Sequence, residues 1–126
     1  MDVRILVYEK EARFRQALTT QLASTAGYAV LGAYESTKEL EAQVQGLQPH
    51  LVLLDIELLT ERAAARPRPF LWKDLPLERF IVLSDDLDER VIDAIGAGMS
   101  GYLLKKMPPP RILGAIREIY GGADEW

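Results

Sequence analysis

The chain has 126 residues, 48% hydrophobic and 27% charged, with a net charge of −4, no cysteine and one histidine. That balance describes one ordinary globular domain with a real core, and it excludes disorder, fibrous architecture, thiol catalysis, disulfides and thiolate metal sites. With no apolar run near the ~20 residues that span a bilayer, no signal-peptide pattern and no basic stretch, the expectation is a cytoplasmic protein that contacts neither membrane nor nucleic acid directly.

Strand and helix patterns alternate along the chain, the signature of a parallel sheet with helices on both faces. The first strand, Ile5-Leu6-Val7-Tyr8, leads into Glu9 and Lys10. Phe14, Ala17, Leu18 and Leu22 then recur at helical spacing, and Gly27 ends that helix before a short strand from Tyr28 to Ala33. Ser36-Thr37-Lys38-Glu39 reads as a capping box for a second helix whose buried stripe is Leu40, Val44 and Leu47. Pro49 breaks the chain before the run Leu51-Val52-Leu53-Leu54, which stops at Asp55. Over residues 56–79, Glu61-Arg62-Ala63-Ala64-Ala65 invites a helix while Pro67, Pro69 and Pro76 forbid a long one, so the third helix is expected to be short or distorted. Phe80-Ile81-Val82-Leu83 ends at Ser84, and from Asp88 a stripe of Val91, Ile92 and Ile95 marks the next helix. Gly96, Gly98 and Gly101 bracket the turn into Tyr102-Leu103-Leu104, which ends at Lys105. Pro108-Pro109-Pro110 suits only the first turn of a helix, whose core face is Ile112, Leu113, Ile116, Ile119 and Tyr120 and which Gly121 and Gly122 close. The expected domain covers residues 1–121, leaving 122–126 as a tail or the start of a linker.

Four strands thus deliver polar groups to one place. An apolar run followed by a single acid is a buried parallel strand presenting a carboxylate at the sheet's carboxyl edge, where open α/β sheets carry their sites. Asp55 and Glu9 with Lys10, Lys105 and the Ser84 hydroxyl form a set suited to binding or accepting a phosphoryl group, whose spread charge needs cations and hydrogen bonds. Taken singly, each position is better explained by the wetness of loops; taken together, they are not. Asp55-Ile56-Glu57 also has a faint likeness to the nucleophile motif of haloacid-dehalogenase-like phosphohydrolases, but its second acid is a Glu and the chain has no room for a cap or later metal-binding acids. A flavodoxin-like cofactor binder would need a Gly-rich phosphate loop after the first strand, which is missing. The lone His50 has no partner for a histidine metal site.

The order and spacing resemble the receiver domain of two-component response regulators, and most closely receivers that precede a helix-turn-helix output domain. The resemblance rests on Arg4-Ile5-Leu6-Val7 with Glu9 and Phe14-Arg15, on Leu51-Val52-Leu53-Leu54-Asp55, on Ile81-Val82-Leu83-Ser84, and on the stretch Ala97-Gly98-Met99-Ser100-Gly101-Tyr102-Leu103-Leu104-Lys105. It implies a flavodoxin-like, doubly wound five-stranded parallel sheet of order 2-1-3-4-5. It also implies Asp55 as phosphoacceptor, Ser84 and Tyr102 as switch residues, Lys105 as the phosphate-binding ammonium, and a signalling module rather than an enzyme. The partners it implies are a histidine kinase, a protein bound through about residues 88–121, and a second copy in a homodimer.

Two positions depart from the family pattern. Receivers carry two acids after the first strand to hold Mg²⁺; here Glu9 matches the first and Lys10 stands at the second, the direct metal ligand. Two unit charges ~4 Å apart interact by about 4 kcal/mol at an effective dielectric near 20, so an ammonium there repels the metal. Glu9, Asp55 and the Glu57 backbone carbonyl remain as ligands, making the expected cofactor none or weakly bound Mg²⁺. After Asp55 the family has a Met-Pro and a later Gly; this chain has Glu57-Leu58-Leu59 and Ala63. The expectation is therefore an atypical or pseudo-receiver, with an ordinary phospho-accepting receiver of a transcription regulator as the alternative.

Overall fold

The computed structural model describes residues 2–65 and 72–121. In chain order it contains β1 (Val3–Tyr8), α1 (Ala12–Ala23), β2 (Tyr28–Tyr34), α2 (Leu40–Leu47), β3 (Leu51–Asp55), α3 (Ile56–Ala65), a 3₁₀ turn (Leu77–Arg79), β4 (Phe80–Ser84), α4 (Glu89–Gly96), β5 (Gly101–Leu104) and α5 (Pro109–Gly121). The strands form one sheet in the order β2-β1-β3-β4-β5, and every neighbouring pair is parallel. This is the flavodoxin-like arrangement expected. Among the described residues no helix is long and apolar enough to cross a membrane.

The period of two along each strand divides the core into two layers. Leu6, Tyr8, Val52, Leu54, Phe80 and Val82 point to the side where α2 contributes Leu40 and Val44, α3 contributes Leu58 and Leu59, and α4 contributes Val91 and Ala94. Ile5, Val7, Leu51, Leu53, Ile81, Leu83 and Leu103 point to the other side, against Leu18 and Leu22 of α1 and Ile112 and Ile116 of α5. Because both faces of β3 and β4 are covered, all their residues are buried, including Asp55 and Ser84. The register sets Tyr8 beside Leu54, Asp55 beside Leu83 and Ser84 beside Leu104, so the polar ends finish level at the carboxyl edge.

Several local readings differ from the sequence pattern. The capping box does not form: α2 starts at Leu40 without a side-chain cap, and the Ser36 hydroxyl accepts only the Lys38 amide. The first helix ends at Ala23, short of Gly27, which turns at φ +94° into β2. Gln48, not Pro49 alone, reverses the chain, adopting a left-handed conformation at φ 50°. Ala17, Leu47, Ile92, Ile95 and Tyr120 are exposed instead of facing the core. In α4 the inward residues are Val91 and Ala94, spaced by three, which leaves Ile92 60% exposed. The third helix starts directly at Ile56, and its described part ends at Ala65; Pro67 and Pro69 lie outside the described residues. Pro109 and Pro110 open α5 as expected, and the tip of Ile119 from α5 packs over Gly101 of β5, 2.9 Å from where a Cβ would stand.

At the opposite, amino edge, His50 closes the pairing of the two central strands. Its amide donates to the Arg4 carbonyl at 2.9 Å, and its Nδ1 accepts the Arg4 amide at 2.9 Å in place of a ladder carbonyl. The ring proton therefore sits on Nε2. Burial first, and then the charges of Arg4 and Arg79, hold the imidazole below its ordinary value of 6.5. The unfolded chain binds the proton more readily, so this contribution to stability is complete above about pH 6.5 and is lost as pH falls from there towards the depressed native value. Urea unfolding between about pH 5 and 8 is expected to show this slope, and His50→Gln to remove it while leaving the acid slope of the carboxylates.

Candidate functional site

Glu9, Asp55, Ser84 and Lys105 each sit at or one residue beyond the end of a strand, and the structure brings them together. The Lys105 ammonium is 3.2 Å from Asp55 Oδ1, 2.9 Å from Glu9 Oε1 and 3.0 Å from Glu9 Oε2. It also lies 5.5 Å from the centre of the Phe14 ring, which walls it from α1. Burial alone would lower the Lys105 pKa, but the hydrogen bond to Glu9 and the charges of Asp55 and Glu9 outweigh it and raise it. The ammonium is therefore a permanent charge at neutral pH.

Asp55 has two structural duties besides that pair. Its Oδ1 accepts the Glu57 amide at 3.0 Å and its Oδ2 the Lys10 amide at 3.1 Å. The first bond makes Asp55 the side-chain N-cap of α3, which begins at the very next residue. The second holds the segment after β1. Glu9 is wholly buried, with Oε2 accepting the Glu11 amide at 2.9 Å and its carbonyl accepting Arg15 Nη1 at 2.9 Å. Burial raises its pKa, only partly offset by the Glu11 amide and Lys105. Its Oε1 touches Lys105 as a charge contact and has no hydrogen-bond partner among the described residues.

The Lys10 side chain is not in this pocket. The sequence groups Lys10 with Asp55 and Glu9, but its Nζ pairs instead with Glu61 on α3, both side chains more than half exposed, and only the Lys10 amide contacts Asp55. That hydrogen bond to Glu61 raises the Lys10 pKa. The long lysine stem carries the charge out to water and to the nearest carboxylate, cheaper than adding a second cation beside Lys105. A second rim pair joins Arg90 to Glu57 at 2.9 Å and to Asp88 at 3.0 Å, while Asp88 also caps α4 through the Arg90 and Val91 amides. Glu61 carries no local signal of its role, and nor does Arg90 of its pairing with Glu57, since those partners lie tens of residues away; Asp88, an Asp directly before a helical stripe, was readable as an N-cap. The N-cap role of Asp55 was readable, because an Asp directly before an Ile-Glu-Leu-Leu run is a helix start.

Ser84 is buried, and its hydroxyl donates to the Asp86 carbonyl at 2.7 Å, within its own loop. Tyr102 of β5 is 36% exposed, and Leu87, Ile92 and Ile95 are exposed as well. For Mg²⁺ the donor set is poor. No group of three or more Asp, Glu, His or Cys side chains suited to a metal exists among the described residues. Both Asp55 oxygens already accept hydrogen bonds, and Glu9 Oε1 is the single unfilled buried acceptor of the pocket. The residues present do not fit a tight magnesium site.

The model of the response regulator receiver domain matches residues 5–117. The chain belongs to that family. The receiver is 27% identical over 123 residues to the response regulator protein VraR of Staphylococcus aureus, a match covering 97% of this chain and 58% of the relative. It thus spans less than two thirds of the curated relatives it matches. In fold it is similar to the signal receiver domain of the response regulator NarL from Mycobacterium tuberculosis, with a TM-score of 0.77, 23% identity and coverage of 96% and 98% of the two chains. It is also similar to a DNA-binding response regulator of the LuxR family from S. aureus, with a TM-score of 0.69, 14% identity and coverage of 94% and 98%.

Removing the central cation tests how the receiver's pocket is held. Lys105→Gln leaves two buried carboxylates facing each other and is expected to cost about 3 kcal/mol of unfolding free energy. Adding Glu9→Gln removes one of the two charges and is expected to recover at least half of that loss, read by denaturant unfolding at neutral pH.

Proposed function

We propose that this receiver acts as an atypical receiver, or pseudo-receiver: a signalling and protein-interaction module in which Asp55 is retained while the magnesium site is impaired at Lys10. The observation that carries this reading is the use of both Asp55 oxygens as structural acceptors, one capping α3 and the other holding the Lys10 amide. A lysine supplies no oxygen to a divalent ion wherever its ammonium points, and the developing charge on a transferring phosphoryl group is then left to Lys105 and Ser84. The loss at position 10 is a missing ligand more than a repelling charge.

The second reading, an ordinary phospho-accepting receiver, is supported by the closeness of Lys105 to Asp55 and by the Ser84 hydroxyl on the adjacent strand. In both readings the output surface is the face of α4, β5 and α5, about residues 88–121, which presents Ile92, Ile95 and Tyr102 to a protein partner. The curated relatives are response regulators of greater length, which supports a place in a longer transcription regulator, input from a histidine kinase and pairing of receivers into a homodimer.

A titration of Mg²⁺ with and without beryllofluoride, followed by NMR of the Lys105 and Ser84 amides, separates the two readings. The wild type is expected to respond weakly or not at all. Lys10→Asp supplies the missing carboxylate and is expected to tighten Mg²⁺ binding by roughly tenfold or more, with a beryllofluoride response at Asp55. Without metal the variant is expected to be less stable than the wild type, since three acids then crowd one pocket. Equal Mg²⁺ affinity and equal phosphorylation of Asp55 in wild type and variant would replace the pseudo-receiver with the ordinary one.

A further inference from the structure

At the amino edge of the sheet, opposite the acidic pocket, lies a cavity of about 230 Å³ lined by His50, Leu51, Glu78, Arg79, Ser100, Ile119 and Tyr120. The five residues of β3 separate it from Asp55 by roughly 16 Å at ~3.3 Å per residue. Its walls are the entries to β3, β4 and β5 and the last turn of α5, so it is built from the rigid sheet rather than from one loop.

The polar groups there are mostly donors. Arg79 Nη1 binds the Pro49 carbonyl at 3.0 Å, and nearby Arg4 Nη1 binds the Leu47 carbonyl at 3.0 Å. Both contacts are to main chain; among the described residues neither guanidinium has a carboxylate partner. The imidazole between them uses Nδ1 to accept the Arg4 amide, so its Nε2 is a donor, and the Tyr120 ring stands 6.1 Å from it. Ser100 donates its hydroxyl to the Glu78 carbonyl. The Glu78 carboxylate is the one acid on the wall, and it forms no ion pair with Arg79. Among the described residues Arg4 and Arg79 thus keep their charges on main-chain carbonyls, beside a cavity whose one acid is Glu78. Guanidinium forks bind oxyanions through charge-assisted hydrogen bonds, the strong class of such bonds.

We propose that this cavity is a binding site for a small oxyanion of phosphate or carboxylate type, held by Arg79, His50 Nε2 and the Tyr120 hydroxyl and separate from the Asp55 pocket. Binding places negative charge beside His50 and favours its protonated form, so occupancy and the proton on that ring are linked. A bound anion also offsets the mutual repulsion of Arg4, Arg79 and a protonated imidazole, bracing the start of β3 against α5.

His50 is the only histidine, so its ring resonances report the site without ambiguity. The test is an NMR titration of the ring with inorganic phosphate, and in a second arm with acetate, against sodium chloride at matched ionic strength. Saturable shifts with at least one oxyanion, together with a His50 titration midpoint moved to higher pH, are expected. Arg79→Gln is expected to weaken binding by roughly tenfold or more, the loss of one charge-assisted contact, whereas Arg79→Lys keeps part of it. Asp55→Asn, at the other edge, is expected to leave the response unchanged. The proposal is overturned if the shifts follow ionic strength alone, if Arg79→Gln binds as the wild type does, or if Asp55→Asn abolishes the response.

Discussion

One ammonium holds the carboxyl edge of this receiver together. Lys105, one residue beyond β5, reaches across β4 to the ends of β3 and β1, where Asp55 and Glu9 are both buried. Two carboxylates at that depth repel each other and lose their hydration, and neither is tolerable without a cation between them. The order β2-β1-β3-β4-β5 supplies the geometry, because it is the strand order and not the chain order that puts residues 9, 55 and 105 within one hydrogen bond of each other. The cation–carboxylate contact then fixes where the first turns of α1 and α3 begin, through the Glu11 and Glu57 amides.

The rim of the pocket is a different kind of electrostatics. Lys10 with Glu61 and Arg90 with Glu57 are exposed pairs, screened by salt and worth little to stability. Their importance is positional, since both attach to the first two turns of α3. Arg90 also joins Asp88, the cap of α4, so a charge change at Asp55 would reach α4 through Glu57 and Arg90 without passing through the core.

What the sequence revealed follows from how far apart the determinants lie. Uninterrupted apolar runs made β1, β3 and β4 legible from four residues each and β5 from three, and their polar ends marked the site. The direction of Lys10 was not legible, because the residue that draws it outward is fifty-one positions away. The Ser36 capping box was misread for a related reason. The motif permits a cap, but the helix that packs on the core starts four residues later, where Leu40 is buried. In α4, the apolar residues Ile92 and Ile95 are not core at all. A period of three through Val91 and Ala94 suffices to cover β4, and the remaining apolar side chains are left for the surface.

Apolar exposure of that kind and the charge arrangement of the two sheet edges divide the molecule's work. The carboxyl edge carries two buried acids bridged by one lysine. The amino edge carries Arg4 and Arg79 on main-chain carbonyls around a neutral imidazole, a positive site in an acidic protein. Leu87 just before α4, Ile92 and Ile95 on α4 and Tyr102 on β5 are exposed. Large apolar side chains grouped on one side of a small domain are costly to leave in water and mark a surface shaped for contact. On the pseudo-receiver proposal, Asp55 is committed to capping its own helix, and the domain signals through that surface by being bound, not by being switched. The same fold then serves as a fixed platform wherever the acid pocket has become a structural ion network.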